Sequence, residues 1–271
     1  MTPVARVPAD VHSASGVSRR ERTVPEEVAV AFSYDGGTHA VMMATPRDLE
    51  DLAVGFTLSE SIVTAPAEIR DLAVVEEEAG IELRMWLAEA RAEALRARRR
   101  HLAGPTGCGL CGIESLAEAM RTAPAVSKGP TLTGEEITAA IEALAPLQPL
   151  NHETRGAHAA AFWRRGEGIV LVREDVGRHN ALDKLIGAMA RGGVAAGDGM
   201  LVLTSRVSVE MVQKAATAGF PILVAVSVPT ALAIRSTEAA GMTLAAIARS
   251  DGFEVFTHPG RITAGAMADV A

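Results

Sequence analysis

The second half of the chain alternates short apolar runs with helical stretches, and that alternation limits the folds open to it. Runs at 159–164, 168–173, 200–204, 222–227 and 244–248 are short, apolar and often β-branched, as buried strands are. Helical patterns at 179–191, 209–218 and 230–240 lie between them, which predicts an α/β layered sheet. Only 3% of residues are aromatic while 48% are hydrophobic, so the core must be built from Ala, Val, Leu, Ile and Met. In such sheets ligands sit at the carboxyl ends of the strands.

The first half reads as a smaller α+β unit. Apolar runs at 27–32 and 38–44 flank Tyr34-Asp35-Gly36-Gly37, a hairpin signal. Thr45, Pro46, Asp48 and Glu50 suggest a capped helix start, with Leu49, Leu52, Ala53, Phe56 and Leu58 toward a core. Gly55 inside that helix predicts close packing against another backbone. A second hairpin is expected from 72–77 and 81–86 around Ala79-Gly80, then a helix over 88–100. Its Arg96, Arg98, Arg99 and Arg100 suit a solvated helix C-terminus; the functional alternative is a positive rim that attracts anions. Thr133 and Glu136 predict a capped helix to Leu144, stopped at Pro146. The domain division is then a disordered tail over 1–22, an N-terminal domain over 23–123 and a linker over 124–133. An α/β domain over 134–262 and a tail over 263–271 complete it.

The chain holds two cysteines, Cys108 and Cys111, in the stretch Thr106-Gly107-Cys108-Gly109-Leu110-Cys111-Gly112. Glycines around the pair permit positive φ and close approach of a ligand. A helical pattern follows, so Cys111 is expected near a helix N-terminus, where the dipole favours thiolate. Reactive sulfur is one reading. A structural disulfide, half of a zinc site and two inert thiols are the others; a zinc site would need two more ligands, and the seven histidines offer no H-x-x-x-H partner.

Polar residues gather at the turns around the second-half strands. Arg155 and His158 enter the first strand, the string Arg173 to Lys184 joins a strand to a helix, and Thr204, Ser205, Arg206 and Ser208 do the same. Hydroxyls, glycines and helix N-termini with Arg173, Arg178, Arg206 and Lys184 suit a phosphate-bearing ligand. Ordinary caps and turns are the alternative, and His158 and His179 each admit the role of a satisfied core histidine. The net charge of -7 argues against a protein devoted to nucleic-acid backbone. No apolar run reaches membrane-spanning length and the start has no apolar signal-peptide core, so the chain reads as soluble and cytoplasmic.

Four stretches together resemble the FdhD family of formate dehydrogenase accessory sulfur carriers. They are TPRDLEDLAVGFTLSE from Thr45 to Glu60, CGLCG from Cys108 to Gly112, REDVGRHNALDK from Arg173 to Lys184, and Glu210 to Ala216 together with Pro221 to Ser227. The resemblance implies a sulfurtransferase that accepts persulfide sulfur from a cysteine desulfurase. The sulfur then passes to the bis-molybdopterin guanine dinucleotide form of the molybdenum cofactor, as required for formate dehydrogenase activity. A cofactor-binding chaperone without sulfur transfer is the alternative. The family's active cysteine corresponds to Cys108, with Cys111 as a resolving thiol. Its cofactor-binding segment corresponds to Phe256, Thr257, His258, Pro259, Gly260 and Arg261, expected on one edge with His158 and the stretch from Arg173 to His179. The implied fold is a cytidine-deaminase-like three-layer α/β domain plus a smaller α+β N-terminal domain, commonly a homodimer. No metal site and no zinc are expected, because the H-x-E and P-C-x-x-C pattern of the zinc deaminases is missing. Arg155 stands where family members often have a small residue.

Overall fold

The computed structural model describes residues 1–102, 121–126 and 129–263. The chain begins with an antiparallel ribbon, β1 (Val4–Ser13) and β2 (Gly16–Pro25), in register from Val4 opposite Pro25 to Ser13 opposite Gly16. The expected disordered tail over 1–22 is therefore corrected. Ten consecutive cross-strand pairs form there, and Gly16 closes the turn with a positive φ of 119°.

The N-terminal sheet holds β3 (Val28–Tyr34), β4 (Gly37–Ala44), β5 (Ile69–Glu77) and β6 (Gly80–Leu87), in the order β4-β3-β6-β5. Both predicted hairpins are present, and β3 and β6 pair in parallel at the centre. Helix α1 (Leu49–Ser59) covers one face, where Leu52, Ala53 and Phe56 join Val30, Phe32, Leu83 and Met85 in a core. Helix α2 (Glu89–Leu102) follows β6. Thr45 does not cap α1. Asp48 precedes the helix in the left-handed region, φ 53°, and Thr45 bonds to the other domain instead.

Past the linker come β7 (Leu132–Thr133), α3 (Gly134–Leu144) and α4 (Pro149–Thr154). The α3 capping box forms as the sequence implies: Thr133 Oγ1 accepts from the Glu136 amide, and Glu136 Oε2 accepts from the Thr133 amide. The expected linker over 124–133 is packed at its end, because Leu132 is fully buried and β7 pairs with β14 (Ile262–Thr263).

The main sheet contains β8 (His158–Arg164), β9 (Gly168–Asp175), β10 (Gly199–Leu203), β11 (Ile222–Ala225), β12 (Thr243–Arg249) and β13 (Gly252–Thr257). Its order is β13-β12-β11-β10-β8-β9, with β10, β11 and β12 mutually parallel. Helices α5 (Arg178–Arg191), α6 (Val209–Ala218) and α7 (Ala231–Ala239) lie on one face and bury Leu182, Leu185, Met211, Val212 and Ala233 against it. Ile137, Ala140 and Leu144 of α3 cover the other face. This is the expected three-layer α/β arrangement.

Helix α1 also belongs to the second domain's packing, since it crosses α5 at glycine on glycine. A Cβ on Gly55 would lie 1.7 Å from the Asp183 carbonyl oxygen, and one on Gly187 would lie 1.9 Å from that of Asp51. The close approach predicted for Gly55 is thus a backbone-to-backbone contact between the domains. Among the described residues no helix is long and apolar enough to cross a membrane.

Candidate functional site

A buried seam of charge fixes α1, β4 and the turn before α5. Asp175 and Lys184 are fully buried, with Lys184 Nζ 2.6 Å from Asp175 Oδ2 and 3.0 Å from the Thr45 carbonyl oxygen. The same carboxylate accepts from the amides of Thr45 and Gly177 and from Asn180 Nδ2, while Asn180 also donates to the Met43 carbonyl. The Val176 amide donates to Thr45 Oγ1. Burial pushes the Lys184 ammonium below the usual lysine range, opposed by Asp175. A second cluster sits one turn along. Lys214 Nζ donates to Ser59 Oγ at 2.9 Å and to Asp183 Oδ2 at 2.9 Å, and lies 2.8 Å from Glu60 Oε1. Burial works against the Lys214 charge, but Asp183 and Glu60 outweigh it and raise its pKa. Lys184 is accordingly a seam residue and not a surface cation for phosphate.

Arg173 belongs to this seam as well. Its guanidinium donates to Asp51 Oδ2 at 2.8 Å and lies 3.8 Å from Asp48. The expectation that it lines the ligand edge is corrected: it stands on β9 facing α1, whose first-turn carboxylates hold it.

The carboxyl ends of the parallel strands carry a different cluster. His158 opens β8 opposite Asp175, Arg178 and His179 form the first turn of α5, and Arg206 and Ser208 follow β10. His158, Arg178 and His179 are half-buried and Arg206 is exposed. Buried atoms Arg178 Nε and His179 Nε2 have no hydrogen-bond partner among the described residues. Burial and then the charges of Arg178 and Lys214 push His179 down to about 4. Burial and Arg178 likewise hold His158 below the usual histidine range, with Asp175 opposing. At neutral pH the two imidazoles are therefore uncharged beside a guanidinium, at the N-terminus of a 14-residue helix. Such a site offers donors to an anion and has an ionisable group that can gain a proton when the anion arrives.

The stretch from Phe256 to Arg261 lies elsewhere. Strand β13 runs antiparallel to β12, so Thr257 pairs with Leu244 near the amino ends of the parallel strands. His258 Nε2 lies 2.9 Å from the Glu238 carbonyl, and Arg261 donates to the Gly241 carbonyl at 2.9 Å and to Thr243 Oγ1 at 3.2 Å. Four inter-strand spacings and about five residue steps put this turn about 25 Å from His158, so the expected single edge holding both is corrected to two. A mostly apolar recess of about 330 Å³ among Leu58, Ile186, Met189 and Phe220 contains none of the predicted residues.

Cys108 and Cys111 lie outside the described residues, as do the side chains of Arg96, Arg98, Arg99 and Arg100. The chain downstream of the cysteines is described again from Arg121, whose guanidinium lies 3.4 Å from Glu60 and whose carbonyl accepts from Gln213 Nε2 at 2.8 Å. Glu60 and Lys214 both act electrostatically on His179. Gln213, Lys214, Asp183 and Ser59 were not singled out from the sequence as a group. Their one signal was the helical spacing of Glu210, Gln213 and Lys214, and pairing with Ser59, 155 residues from Lys214, leaves no local trace.

The model of the FdhD/NarQ family matches residues 25–263. The chain belongs to the FdhD/NarQ family. It is 55% identical over 243 residues to the sulfur carrier protein FdhD of Agrobacterium fabrum, covering 89% of this chain and 90% of that protein. Against the sulfur carrier protein FdhD of Brucella abortus it is 54% identical over 252 residues, covering 93% and 94%. Its fold is similar to a crystal structure from Desulfotalea psychrophila, of a protein assigned as a formate dehydrogenase accessory protein. The TM-score is 0.76 at 24% identity, over 96% of this chain and 99% of that one. The family match spans both domains.

Proposed function

We propose that this chain is a sulfur carrier of the FdhD type, a sulfurtransferase that serves formate dehydrogenase maturation. The names of its relatives support the class. The observation that carries the reading is the pair of buried nitrogens, Arg178 Nε and His179 Nε2, without a hydrogen-bond partner among the described residues, at the carboxyl ends of the parallel strands. A phosphate of a nucleotide-bearing cargo accepts from Arg178 Nε, and from His179 Nε2 when that nitrogen carries the ring proton. His158 and Arg206 complete that edge, while Arg173 acts through Asp51 and Asp48 to hold it against α1.

In this reading the Cys108 thiolate attacks the outer sulfur of a desulfurase cysteine persulfide. Cys108–S–SH forms and the desulfurase thiolate leaves. The cargo that receives the sulfur is the bis-molybdopterin guanine dinucleotide form of the molybdenum cofactor, a bound substrate and not a resident group. Attack by the Cys111 thiolate on Cys108 Sγ then releases hydrosulfide and leaves a Cys108–Cys111 disulfide. Phe256, Thr257, His258, Pro259, Gly260 and Arg261 form a separate contact at the other end of the sheet, for a cargo with two nucleotide ends. The proposed setting is the cytoplasm, with a cysteine desulfurase upstream and formate dehydrogenase downstream. The proposed domains are the N-terminal unit to residue 123 and the α/β unit from residue 134.

Incubation with a cysteine desulfurase and cysteine, followed by intact-mass measurement, tests the transfer. The wild type should gain one sulfur atom, and Cys108→Ser should gain none while Cys111→Ser still loads. Equal loading of wild type and Cys108→Ser removes the assignment. A protein lacking both thiols that still supports formate dehydrogenase would instead identify a cofactor-carrying chaperone.

A further inference from the structure

A strained residue stands at the ligand edge, on β12. Among the described residues, six other than glycine have a positive φ, and Ile247, at 54°, is the β-branched one of them. A branched side chain is a genuine outlier in that region, and such strain gathers at binding sites. Ile247 lies between Ala246, opposite Glu254, and Arg249, opposite Gly252, where β12 and β13 fall out of register in a bulge. Leu244 and Ala246 face one core of the sheet, and Ala245 and Ala248 face the other. That alternation is unbroken once Ile247 is skipped, so the bulge takes this one side chain out of the pattern. It is half-buried, yet it joins none of the three hydrophobic cores. Strand β12 is parallel to β11 with Ala245 level with Val224, which puts Ile247 at the carboxyl ends of the strands.

The turns beside it are held by backbone bonds. The Ile247 amide donates to the Ser227 carbonyl at 3.3 Å, the Val207 amide to the Val228 carbonyl at 3.3 Å, and the Thr230 amide to the Val207 carbonyl at 2.9 Å. The Arg249 guanidinium donates to the carbonyls of Val226 and Ala248 and pins the bulge. Val228 is thereby fixed just past β11 with its side chain 51% exposed, and it too joins none of the cores. Two aliphatic side chains thus stand outside the cores on backbone that is firmly tied.

Sheet order sets their distance from the charged end of the site. From β8, which His158 opens, the end of β11 is two inter-strand spacings away, about 10 Å, and β12 is three, about 14 Å. An extended nucleoside diphosphate covers such a span between its phosphates and its base. We propose that Val228 and Ile247 are the platform for the base of the nucleotide whose phosphate is held at Arg178. The inference rests on the reading of Arg178 as a phosphate contact and adds the class of ligand, a nucleoside diphosphate laid across the ends of β8, β10, β11 and β12. The base sets one flat face on the two side chains and removes them from water, the usual apolar part of a small-molecule site. The strain at Ile247 is kept because a regular β12 would turn that side chain into a core.

Calorimetry on the full chain with two probes, GDP and inorganic pyrophosphate, tests this. Ile247→Asn keeps a residue at home in the left-handed region and removes the apolar face, and Val228→Ser removes its neighbour. Each should weaken GDP binding at least fivefold and leave the affinity for pyrophosphate within twofold of wild type, whereas Arg178→Ala should weaken both probes. GDP affinity unchanged in either platform variant, with Arg178→Ala still weakening it, overturns the platform and leaves the phosphate contact standing. Equal losses for GDP and pyrophosphate also overturn it, because the base would then contribute nothing at these residues. GDP that does not bind, or that binds equally to wild type and Arg178→Ala, ends both readings.

Discussion

One twelve-residue string, Arg173 to Lys184, builds two regions that treat polar groups in opposite ways. On the seam side, Arg173, Asp175, Asn180, Asp183 and Lys184 find partners on α1, β4 or α6, and the buried charges are satisfied. At the strand ends, Arg178 Nε and His179 Nε2 are buried polar atoms without partners among the described residues. The difference separates two kinds of constraint on adjacent residues. Leaving a buried donor unmatched costs stability, and a protein keeps such a cost where a ligand relieves it. At the turn of His258 and Arg261, His258 Nε2 and Arg261 Nη1 are instead held within the chain by Glu238, Gly241 and Thr243.

The largest effect should come from breaking the seam. Lys184→Ala leaves Asp175 buried without its cation and should cost about 3–5 kcal/mol in urea unfolding. Gly55→Ala tests the same seam through shape: a methyl 1.7 Å from a carbonyl oxygen must push the domains apart. It should cost about 1–3 kcal/mol by overpacking, read as a lowered urea midpoint. Arg178→Ala should show the reverse pattern. Its unfolding free energy should stay within about 0.5 kcal/mol of wild type, while affinity for GDP, a stand-in for one nucleotide end, falls by about 1–3 kcal/mol in calorimetry. A large stability loss with unchanged GDP affinity would place Arg178 in the seam group and end the contrast.

Acid gives the finest test. His179 titrates at about 4 in the folded chain against an ordinary value of 6.5, so between those values the unfolded chain binds more protons. Its contribution to stability is complete above about 6.5 and is lost as pH falls toward 4. His179→Gln should flatten that part of the curve of urea midpoint against pH. A bound phosphate favours the protonated ring, so GDP binding should take up protons in this window, seen as a buffer-dependent heat.

Local chemistry made much of the fold legible. The capping box at Thr133 and Glu136, the two N-terminal hairpins and the alternation of the second half rest on residues close in sequence, where propensity and period act. Gly55 was legible because a glycine inside an apolar helix has few other uses. Thr45 misled for a long-range reason: its amide and hydroxyl go to Asp175 and Val176, about 130 residues away, and Asp48 breaks the chain's path before the helix. The ribbon was hidden by its composition, since Ser, Pro, Ala and Arg mask an alternation that makes sense only once its partner strand is known. Of the site, His158, Arg178 and His179 were found together, but Phe256 to Arg261 was placed with them because strand direction is not written locally. Only the antiparallel course of β13 carries that turn to the far end of the sheet.

The seam also orders events while the chain is being made. Thr45 waits for Asp175, 130 residues later, and Ser59 waits for Lys214, 155 residues later. At a synthesis rate of about 5–20 residues per second, that is a wait of about seven to thirty seconds. During it the glycine face of α1 and its carboxylates remain in water, and the first domain exists without the surface that completes it. A nascent chain arrested before residue 214 should therefore be cut by protease within α1, and one arrested well beyond it should be resistant there.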